Sequence, residues 1–529
     1  MMIRRESHFG RVVPCLAERP PSVDALFRAA AAADPAALAV IDGARRLTYG
    51  DLDWWVGRLA DGLAARGLRK GDRLATLIGN RTAFVELSLA CARLGLIHVP
   101  LNTRQRRPEI EYALTQSGAS ALVHEAAFAA ELPDPAAVPG LRLRFAVDGA
   151  ADGSEPYEGL MGDAAGGTAA SPAGEEDPVC ILYTSGTTGR PKGAVLSNLG
   201  VVQSCLNYRD ALGLGPADRM VLAVPAAHVT GLVGVVHAIL GAGGCLIVMP
   251  QFKARAFLEL VEREAVTATL MVPAMYNLCL LDPEFDRFDL SSWRVGAFGG
   301  APMPEATARR MKDKSPGLTL FNVYGSTETS SPVTILPKEA GPERLNSVGM
   351  VLPTVDVRIM DEAGREVPPG EPGELWIAGS TVAPGYWNNP EADASAFVGG
   401  YWKSGDIGSI DAAGFVHILD RKKDMINRAG YKIYSAEVED VLAYHPGVAE
   451  VAVVGYPDPV LGERVQAFVV ARPDTTEEEL RRFCAERLSD YKVPDRVTFV
   501  EGGLPRNPNG KLLKTALRVR DAAAPARTA

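Results

Sequence analysis

Apolar residues recur with a helical period along most of the chain, and each periodic stretch is followed by a short apolar run. The segment LTYGDLDWWVGRLADGLAARGL has apolar side chains at 52, 55, 56, 59 and 63, which predicts an amphipathic helix, and the RLATLIG that follows predicts a strand. The pairing repeats in AFVELSLACARLGL with IHVPL, AFLELVEREAV with ATLMVP, and ATARRMKDK with LTLFNVYG. Because helices alternate with strands, we predict an α/β fold of parallel sheets flanked by helices.

The pattern changes in the last third of the chain. Residues 348 to 419 show short strands separated by turn residues, which predicts a β-rich subdomain. After the DRKKD stretch, helical and strand patterns alternate again, and Thr475 with Glu478 predicts a capping box at the start of a helix. We therefore predict a large N-terminal domain in residues 1–420 and a small C-terminal α/β domain in residues 421–529.

Two segments need separate interpretation. Residues 149–176 are rich in Gly, Ala, Ser and acidic residues, which predicts a loop rather than a folded element. Residues 231–250, GLVGVVHAILGAGGCLIVMP, carry no formal charge over a length that could cross a bilayer. The central GAGG and the internal His237 instead favour a buried helix, a turn and a buried strand, so we predict no transmembrane segment.

Composition and charge narrow the class of protein. The chain has 529 residues, of which 47% are hydrophobic, so a large core and more than one domain are expected. A net charge of -9 disfavours a nucleic-acid partner, because such surfaces are basic, and any anionic ligand must meet local cations. Seven scattered cysteines without a C-x-x-C pair predict reduced thiols, and the first residues lack the apolar core of a secretory signal. These features predict a cytoplasmic protein.

One short stretch, YTSGTTGRPKGA at residues 183–194, indicates phosphate binding. Glycine lets backbone N–H groups approach an anion, threonine and serine add hydroxyl donors, and Lys192 adds a positive charge. The spacing differs from the Walker A motif, because Pro191 lies five positions after Gly186 and Lys192 is followed by Gly193. The stretch therefore predicts a phosphate loop outside the P-loop NTPases.

Five further motifs follow this loop in a fixed order. They are VYGSTET at 323–329, APGYWNNPE at 383–391, YWKSGDIG at 401–408, DRKKDMI at 420–426 and PRNPNGK at 505–511. Together with the phosphate loop they resemble the adenylate-forming superfamily, which includes acyl-CoA and aryl-CoA synthetases, peptide-synthetase adenylation domains and luciferases. The resemblance covers nearly the whole chain and is strongest to the acyl-CoA synthetase branch.

The resemblance implies a reaction in two steps. A carboxylate attacks the α-phosphate of Mg-ATP to give an acyl-adenylate and pyrophosphate, and the thiol of coenzyme A then attacks the activated carbonyl. ATP, Mg²⁺ and coenzyme A are the cofactors and co-substrates that this implies. It also implies that the small C-terminal domain rotates between the steps, with Lys423 as the hinge.

The resemblance assigns nucleotide contacts residue by residue. The loop that grips the β- and γ-phosphates comprises Thr184, Ser185, Gly186, Thr187, Thr188, Gly189 and Lys192. Tyr324 contacts adenine, Thr327 the α-phosphate, and Glu328 binds Mg²⁺ with Thr184 as a second metal contact. The other residues assigned to the nucleotide are Gly300, Ala301, Asn322, Val323 and Gly325, with Asp406 and Arg421 on the ribose and Lys511 bridging the carboxylate and the α-phosphate.

The acyl and thiol sites are assigned in the same way. His228 lies beside the acyl pocket, which also takes in Gly299, Gly300, Val323, Gly325 and Ser331. The stretch around His228 has no acid to hold a substrate ammonium group, and FNVYGST and AFGGAPM have no arginine for a second carboxylate. A fatty or aromatic, largely apolar acid is therefore expected. The coenzyme A contacts implied are Lys253, Arg428, Ala429 and Gly430, with Ala429 standing where the family commonly has glycine.

Three alternatives to an acyl-CoA synthetase are compatible with these motifs. The adenylate could be delivered to a carrier protein instead of free coenzyme A, or the chain could be a non-catalytic nucleotide-binding relative. A luciferase-like oxygenase shares the first half-reaction. A homodimer and a monomer are both compatible with the sequence, because no sequence pattern indicates a subunit interface.

Overall fold

The fold of the chain is seen in a computed structural model that describes residues 2–161, 171–184, 190–341, 344–506 and 512–522. The chain divides into two compact units. The first comprises Met1–Val357, Ile377–Lys403 and Gly414–Val416, and the second comprises Arg358–Trp376, Ser404–Ala413 and His417–Ala529. The main stretch of the second unit begins close to the predicted boundary near residue 421.

The first unit is built on two sheets whose central strands are parallel, which confirms the predicted α/β class. One sheet has the strand order Lys192–Ser197, Pro178–Thr184, Ile97–Pro100, Arg73–Leu77, Ala121–Glu125, Leu143–Val147 and Glu155–Pro156. The other has, within this unit, the order Gly349–Val351, Ser331–Ile335, Thr319–Ser326, Val295–Gly299, Ala268–Met271, Arg219–Leu222, Cys245–Val248, Leu38–Asp42 and Arg45–Thr48. A separate antiparallel hairpin pairs Ile3–His8 with Arg11–Leu16.

Four helices of the first unit form where the apolar period predicts them: Tyr49–Ala65, Thr82–Leu94, Ala254–Glu264 and Glu305–Lys314. The other helices in the described part of this unit are Val23–Ala33, Arg107–Ser117, Asn198–Leu212, Ala238–Gly241, Pro273–Leu280 and Pro390–Ala396, with a π-helix at Thr230–His237. In Tyr49–Ala65 the buried side chains recur every three or four residues, and the Thr48 hydroxyl caps the helix by accepting from the Asp51 amide. The apolar face and the cap together explain why this segment is helical.

The uncharged segment at 231–250 folds as predicted. It forms the end of the π-helix, the short helix Ala238–Gly241, a turn, and the buried strand Cys245–Val248. Among the described residues, no helix is both long and apolar enough to cross a membrane. The prediction that 149–176 contains no folded element is wrong in part, because Glu155–Pro156 extends a sheet and the next 3₁₀ turn buries Tyr157 and Leu160.

The second unit has its own sheet and core. The sheet runs in the order Tyr431–Ile433, Ile426–Arg428, Gly462–Ala471 and Val448–Asp458, with Arg496–Phe499 parallel to Gly462–Ala471. The helices are Ser435–Ala443, Glu477–Ala485 and Lys514–Ala522. The core between sheet and helices includes Val438, Leu442, Val453, Val465 and Leu480.

Two details of the C-terminal half differ from expectation. The strands Val355–Met360, Gly373–Gly379, Tyr401–Ile410 and Phe415–Arg421 divide the predicted β-rich region between the two units. The predicted capping box is wrong by one residue, because Thr476 caps the helix and accepts from the Glu479 amide. The Thr475 hydroxyl donates to the Gly447 carbonyl oxygen instead.

All seven cysteines are buried as free thiols, which confirms the prediction of reduced cysteines. Burial raises the pKa of each thiol, in the case of Cys15 to about 11. The thiolate is the reactive form of cysteine, so these side chains are inert core residues.

Three histidines, His98, His124 and His237, are buried in the first unit, and burial lowers the pKa of His98 and His237 the furthest. His98 is 1% exposed with Nε2 2.9 Å from the Thr76 hydroxyl, and His237 is 5% exposed with Nε2 3.3 Å from the Ser88 hydroxyl. Burial lowers the pKa of His98 from 6.5 to about 3 and the pKa of His237 from 6.5 to about 4. Both imidazoles are therefore neutral in the folded protein near neutral pH.

We expect acid to destabilise the first unit through these two histidines. Below about pH 6.5 the unfolded chain binds their protons and the folded chain does not, so the free energy of unfolding falls by up to about 1.4 kcal/mol per pH unit for each histidine. Urea unfolding from about pH 7 to about pH 4.5 should show a shallower loss in His98→Gln than in the wild type. His417→Gln, at a partly exposed strand position, is the control, and an unchanged slope in His98→Gln would contradict the prediction.

Candidate active site

The predicted phosphate loop connects two antiparallel strands, Pro178–Thr184 and Lys192–Ser197. Their register places Thr184 directly opposite Lys192. The Thr184 hydroxyl lies 3.4 Å from the Lys192 carbonyl oxygen and so can donate to it. The predicted residues Ser185, Gly186, Thr187, Thr188 and Gly189 lie outside the described residues. The hairpin therefore brings the first and last predicted phosphate contacts together.

Backbone segments approach closely at the carboxyl ends of the parallel strands Val295–Gly299 and Thr319–Ser326. A Cβ atom on Gly325 would lie 1.8 Å from the Ser331 carbonyl oxygen, and one on Gly299 would lie 2.4 Å from the Val323 carbonyl oxygen. Both distances are far below van der Waals contact, so any side chain would force the strands apart. The next residue, Gly300, has a φ of 78°, which side chains also disfavour. These glycines are thus required by the backbone.

Glu328 is a buried carboxylate at the end of this sheet. It is 7% exposed and lies in the 3₁₀ turn Thr327–Thr329. The Tyr386 hydroxyl donates to Oε1 at 3.0 Å, the Ser326 hydroxyl donates to Oε2 at 2.9 Å, and the Thr184 hydroxyl lies 3.5 Å from Oε1. The structure thus places the two predicted metal contacts, Glu328 and Thr184, beside each other.

The surroundings of Glu328 fit a divalent cation. Within the described part of the chain, no lysine, arginine or histidine nitrogen forms an ion pair with this carboxylate. A buried charge without a partner is costly, and carboxylate oxygens are the ligands that Mg²⁺ prefers. Glu328 would therefore hold the metal, with the Thr184 hydroxyl as a second oxygen close by.

Tyr386 is a site residue that we did not predict, although its motif was identified. An isolated bridge pairs Tyr386 with Ala194 next to the phosphate loop, and the Trp387 amide donates to the Gly193 carbonyl oxygen at 2.7 Å. The Lys192 ammonium lies 5.1 Å from the centre of the Tyr386 ring, within range of a cation–π interaction. An aromatic residue inside the APGYWNNPE motif was the available signal, but no pattern in the sequence indicates its partner strand.

The remaining nucleotide assignments lie on the same sheet or just beyond it. Asn322 is buried, and its side-chain amide donates to the Ser347 carbonyl oxygen at 2.8 Å. Tyr324 is half-buried in the strand Thr319–Ser326, and Thr327 is buried in the following turn. Ala301 is exposed after the strand that ends at Gly299. The structure therefore groups these residues at the carboxyl edge of the sheet.

Of the predicted acyl-pocket residues, His228 directly precedes the π-helix Thr230–His237, and Ser331 begins a strand that contacts this helix. His228 is half-buried just before this helix, and its Nδ1 accepts from the Thr230 amide at 3.3 Å. Ser331 is buried at the start of its strand, with its hydroxyl 2.7 Å from the hydroxyl of Tyr208. A π-helix is rare and often marks a functional site. This local geometry fixes the orientation of His228.

In the second unit, the two residues predicted to hold the ribose form an ion pair with each other. Arg421 Nε lies 3.1 Å from Asp406 Oδ1, and Asp406 is buried. The predicted hinge residue Lys423 lies in the turn after Arg421, where its carbonyl oxygen accepts from Arg518 at 3.1 Å. Lys511 lies outside the described residues.

The predicted coenzyme A contacts differ in how their side chains are engaged. Arg428 donates to the Tyr491 carbonyl oxygen at 2.9 Å and to Asp495 at 3.0 Å, so its charge is already paired. Lys253 is the exposed residue that precedes the helix Ala254–Glu264. Ala429 and Gly430 form the tight turn between two strands of the second unit, with φ values of 50° and 91°.

We expect Ala429→Gly to stabilise the second unit by about 0.5 to 1 kcal/mol. The left-handed conformation costs a residue with a Cβ about 1 to 2 kcal/mol, and the greater freedom of glycine in the unfolded chain offsets part of the gain. Ala429→Val is the matched control and should destabilise the unit, because β-branched residues tolerate positive φ poorly. Urea unfolding of the full chain measures both changes, and a loss of stability in Ala429→Gly would contradict the reasoning.

Comparison with known proteins identifies the family of the chain. The sequence model of the AMP-binding enzyme family matches residues 27–387, and that of the AMP-binding enzyme C-terminal domain matches residues 437–511. A feruloyl-CoA synthase of Amycolatopsis sp is 39% identical over 92% of this chain and 96% of its own length. The long-chain-fatty-acid–CoA ligase FadD13 of Mycobacterium tuberculosis is 36% identical over 89% of this chain and 93% of its own. The crystal structure of ATP-bound MatB from Rhodopseudomonas palustris matches with a TM-score of 0.87 at 32% identity, over 95% of this chain and 99% of that one. The chain therefore belongs to the AMP-binding enzyme family.

Proposed function

We propose that the protein is an AMP-forming acyl-CoA synthetase acting on a largely apolar fatty or aromatic carboxylic acid. The observation that carries the proposal is the buried Glu328 carboxylate beside the Thr184–Lys192 hairpin, which provides for a metal and for phosphate in one place. The names of two relatives, a feruloyl-CoA synthase and a long-chain-fatty-acid–CoA ligase, support the product and the two acid classes.

The first half-reaction brings the substrate carboxylate to the triphosphate of ATP. Both are negatively charged, so cations are needed where they approach each other. Lys192 supplies a cation at the end of the phosphate loop, and Lys511 supplies a second at the reacting groups. Glu328 would hold Mg²⁺, which would offset part of the phosphate charge. The substrate carboxylate attacks the α-phosphorus and pyrophosphate leaves.

The second half-reaction transfers the acyl group. The thiol of coenzyme A loses its proton and attacks the carbonyl carbon of the acyl-adenylate, and AMP leaves. Asp406 and Arg421 hold the ribose in this proposal, as the resemblance implies. Of the predicted coenzyme A contacts, Lys253 is the better candidate for a phosphate, because the charge of Arg428 is paired with Asp495.

The proposed acid class rests on the surroundings of His228. The residues from Pro225 to His237 include no carboxylate that could hold a substrate ammonium, and the strand Thr319–Ser326 carries no arginine for a second carboxylate. The π-helix that follows His228 carries the buried apolar side chains Leu232, Val233, Val235 and Val236. A neutral, hydrophobic acyl group matches such apolar surroundings.

The test is a screen for AMP formation with and without coenzyme A. We would compare fatty acids of increasing length, hydroxycinnamic acids, amino acids and dicarboxylic acids. The proposal expects AMP formation that depends on coenzyme A and on a fatty or aromatic acid. Pyrophosphate release without thioester formation would favour a carrier protein as acceptor, and turnover confined to amino acids or dicarboxylic acids would contradict the acid class.

A further inference from the structure

Tyr386 contacts the two charged groups that adenylation uses, Glu328 and Lys192. Its hydroxyl donates to Glu328 Oε1 at 3.0 Å, and its ring lies 5.1 Å from the Lys192 ammonium. We propose that Tyr386 is a positioning residue that orients the metal-binding carboxylate and the phosphate-binding lysine relative to each other. This inference rests on the proposed function, because it takes Glu328 as the metal ligand.

The backbone holds Tyr386 rigidly at this place. Its amide donates to Asp393 Oδ1 at 2.7 Å, and on either side the Val195 amide donates to the Gly385 carbonyl oxygen and the Trp387 amide to that of Gly193. The segment therefore extends the sheet beside Lys192–Ser197. The ring is 6% exposed and packs edge-on against another aromatic ring at 5.9 Å. Tyr386 is thus fixed before any ligand binds.

The hydroxyl of Tyr386 is suited to act as a permanent donor. An ionised carboxylate only accepts hydrogen bonds, so the Tyr386 hydroxyl is the donor in its 3.0 Å contact with Glu328. A carboxylate offers about four lone-pair positions, and donors from Tyr386 and Ser326 occupy one on each oxygen. The carboxylate plane is fixed and oxygen lone pairs remain for a cation. Groups that orient metal ligands in this way usually matter for metal affinity.

The ring of Tyr386 has a second, separable role. Its face attracts the Lys192 ammonium, and Lys192 is the last residue of the phosphate loop. The Tyr386 side chain therefore contacts both Lys192, the proposed phosphate-binding cation, and Glu328, the proposed metal-binding carboxylate. Phenylalanine would keep this contact and lose the hydroxyl, whereas leucine would lose both.

The experiment measures metal binding directly, apart from turnover. Mn²⁺ binding would be followed by electron paramagnetic resonance with α,β-methylene-ATP, which cannot be cleaved at the reacting bond. We expect Tyr386→Phe to weaken Mn²⁺ binding by about 10- to 100-fold and to raise the Mg²⁺ concentration that adenylation requires. Tyr386→Leu should in addition weaken binding of the nucleotide in the absence of metal. The matched control is Tyr49→Phe, which removes another buried tyrosine hydroxyl. The Tyr49 hydroxyl lies within hydrogen-bond distance of the Leu240 and Gly244 carbonyl oxygens.

A double variant separates this inference from the metal assignment itself. If Tyr386 acts through Glu328, then Tyr386→Phe should change Mn²⁺ affinity little once Glu328→Gln is present. Unchanged affinity in Tyr386→Phe, with a clear loss in Glu328→Gln, would overturn the role of Tyr386 alone. Unchanged affinity in Glu328→Gln would overturn the metal assignment of the proposed function. A loss in Tyr49→Phe equal to that in Tyr386→Phe would indicate general destabilisation and would also overturn the inference.

Discussion

Glu328→Gln is expected to slow acyl-adenylate formation by about 10²- to 10³-fold, the usual cost of removing one preorganised electrostatic group. Glutamine keeps the size of the side chain, but its one carbonyl oxygen can accept from only one of Tyr386 and Ser326, and it loses the charge that a divalent cation needs. The measurement is pyrophosphate release at increasing Mg²⁺ concentration. Raising Mg²⁺ should recover part of the rate.

Glu86→Gln is the matched control for this variant. Glu86 is also buried and also accepts from a tyrosine, Tyr157 at 3.2 Å, but its cationic partner is Arg45. Its replacement should leave the Mg²⁺ dependence of adenylation unchanged. If Glu328→Gln shows the same Mg²⁺ dependence as the wild type, Glu328 does not bind the metal.

Lys423→Pro is expected to leave adenylation within about tenfold of the wild type and to reduce thioester formation by about a hundredfold or more, because one conformational step is blocked. Proline fixes φ near -65° and removes the N–H group. In the described part of the chain the Lys423 amide donates no hydrogen bond, so proline removes no native bond there. The result would follow from a hinge that cannot change its dihedral angles.

Separate assays of the two half-reactions test the hinge. Pyrophosphate release reports adenylation, and supplied acyl-adenylate with coenzyme A reports thioester formation. Lys423→Ala is the control, since it removes the side chain and leaves the backbone free, and both rates should remain near those of the wild type. Parallel loss of both half-reactions in Lys423→Pro, or loss of neither, would mean that residue 423 is not the hinge.

Local patterns predicted those helices and strands that carry a clear apolar period of their own. Where the prediction failed, distant contacts decided the outcome. Thr475 and Thr476 are chemically identical candidates for a cap, and the Gly447 carbonyl oxygen, far away in sequence, binds the first of them. Tyr157 orders part of a segment predicted to be loop, because its hydroxyl bonds to the buried Glu86.

The sequence predicted the site residues that belong to recognisable motifs, but not the contacts that depend on how distant segments pair. Thr184 and Glu328 were both assigned to the metal, and the structure places their side chains 3.5 Å apart. The link from Glu328 to Tyr386 depends on the pairing of residue 386 with residue 194, which no composition or period encodes. Sequence reasoning also could not show that the charge of Arg428 is paired within its own unit.

The close approach of the backbone at Gly299 and Gly325 restricts how the substrate range of this enzyme can evolve. Neither position can gain even a methyl group without separating the strands, so mutation cannot reshape the pocket there. Trimming Ser331 would leave the buried Tyr208 hydroxyl without that bond, which is also costly. Gly300 has a φ of 78°, which also disfavours a side chain, so among the predicted pocket residues His228 and Val323 remain as the positions where natural variation or laboratory selection can act.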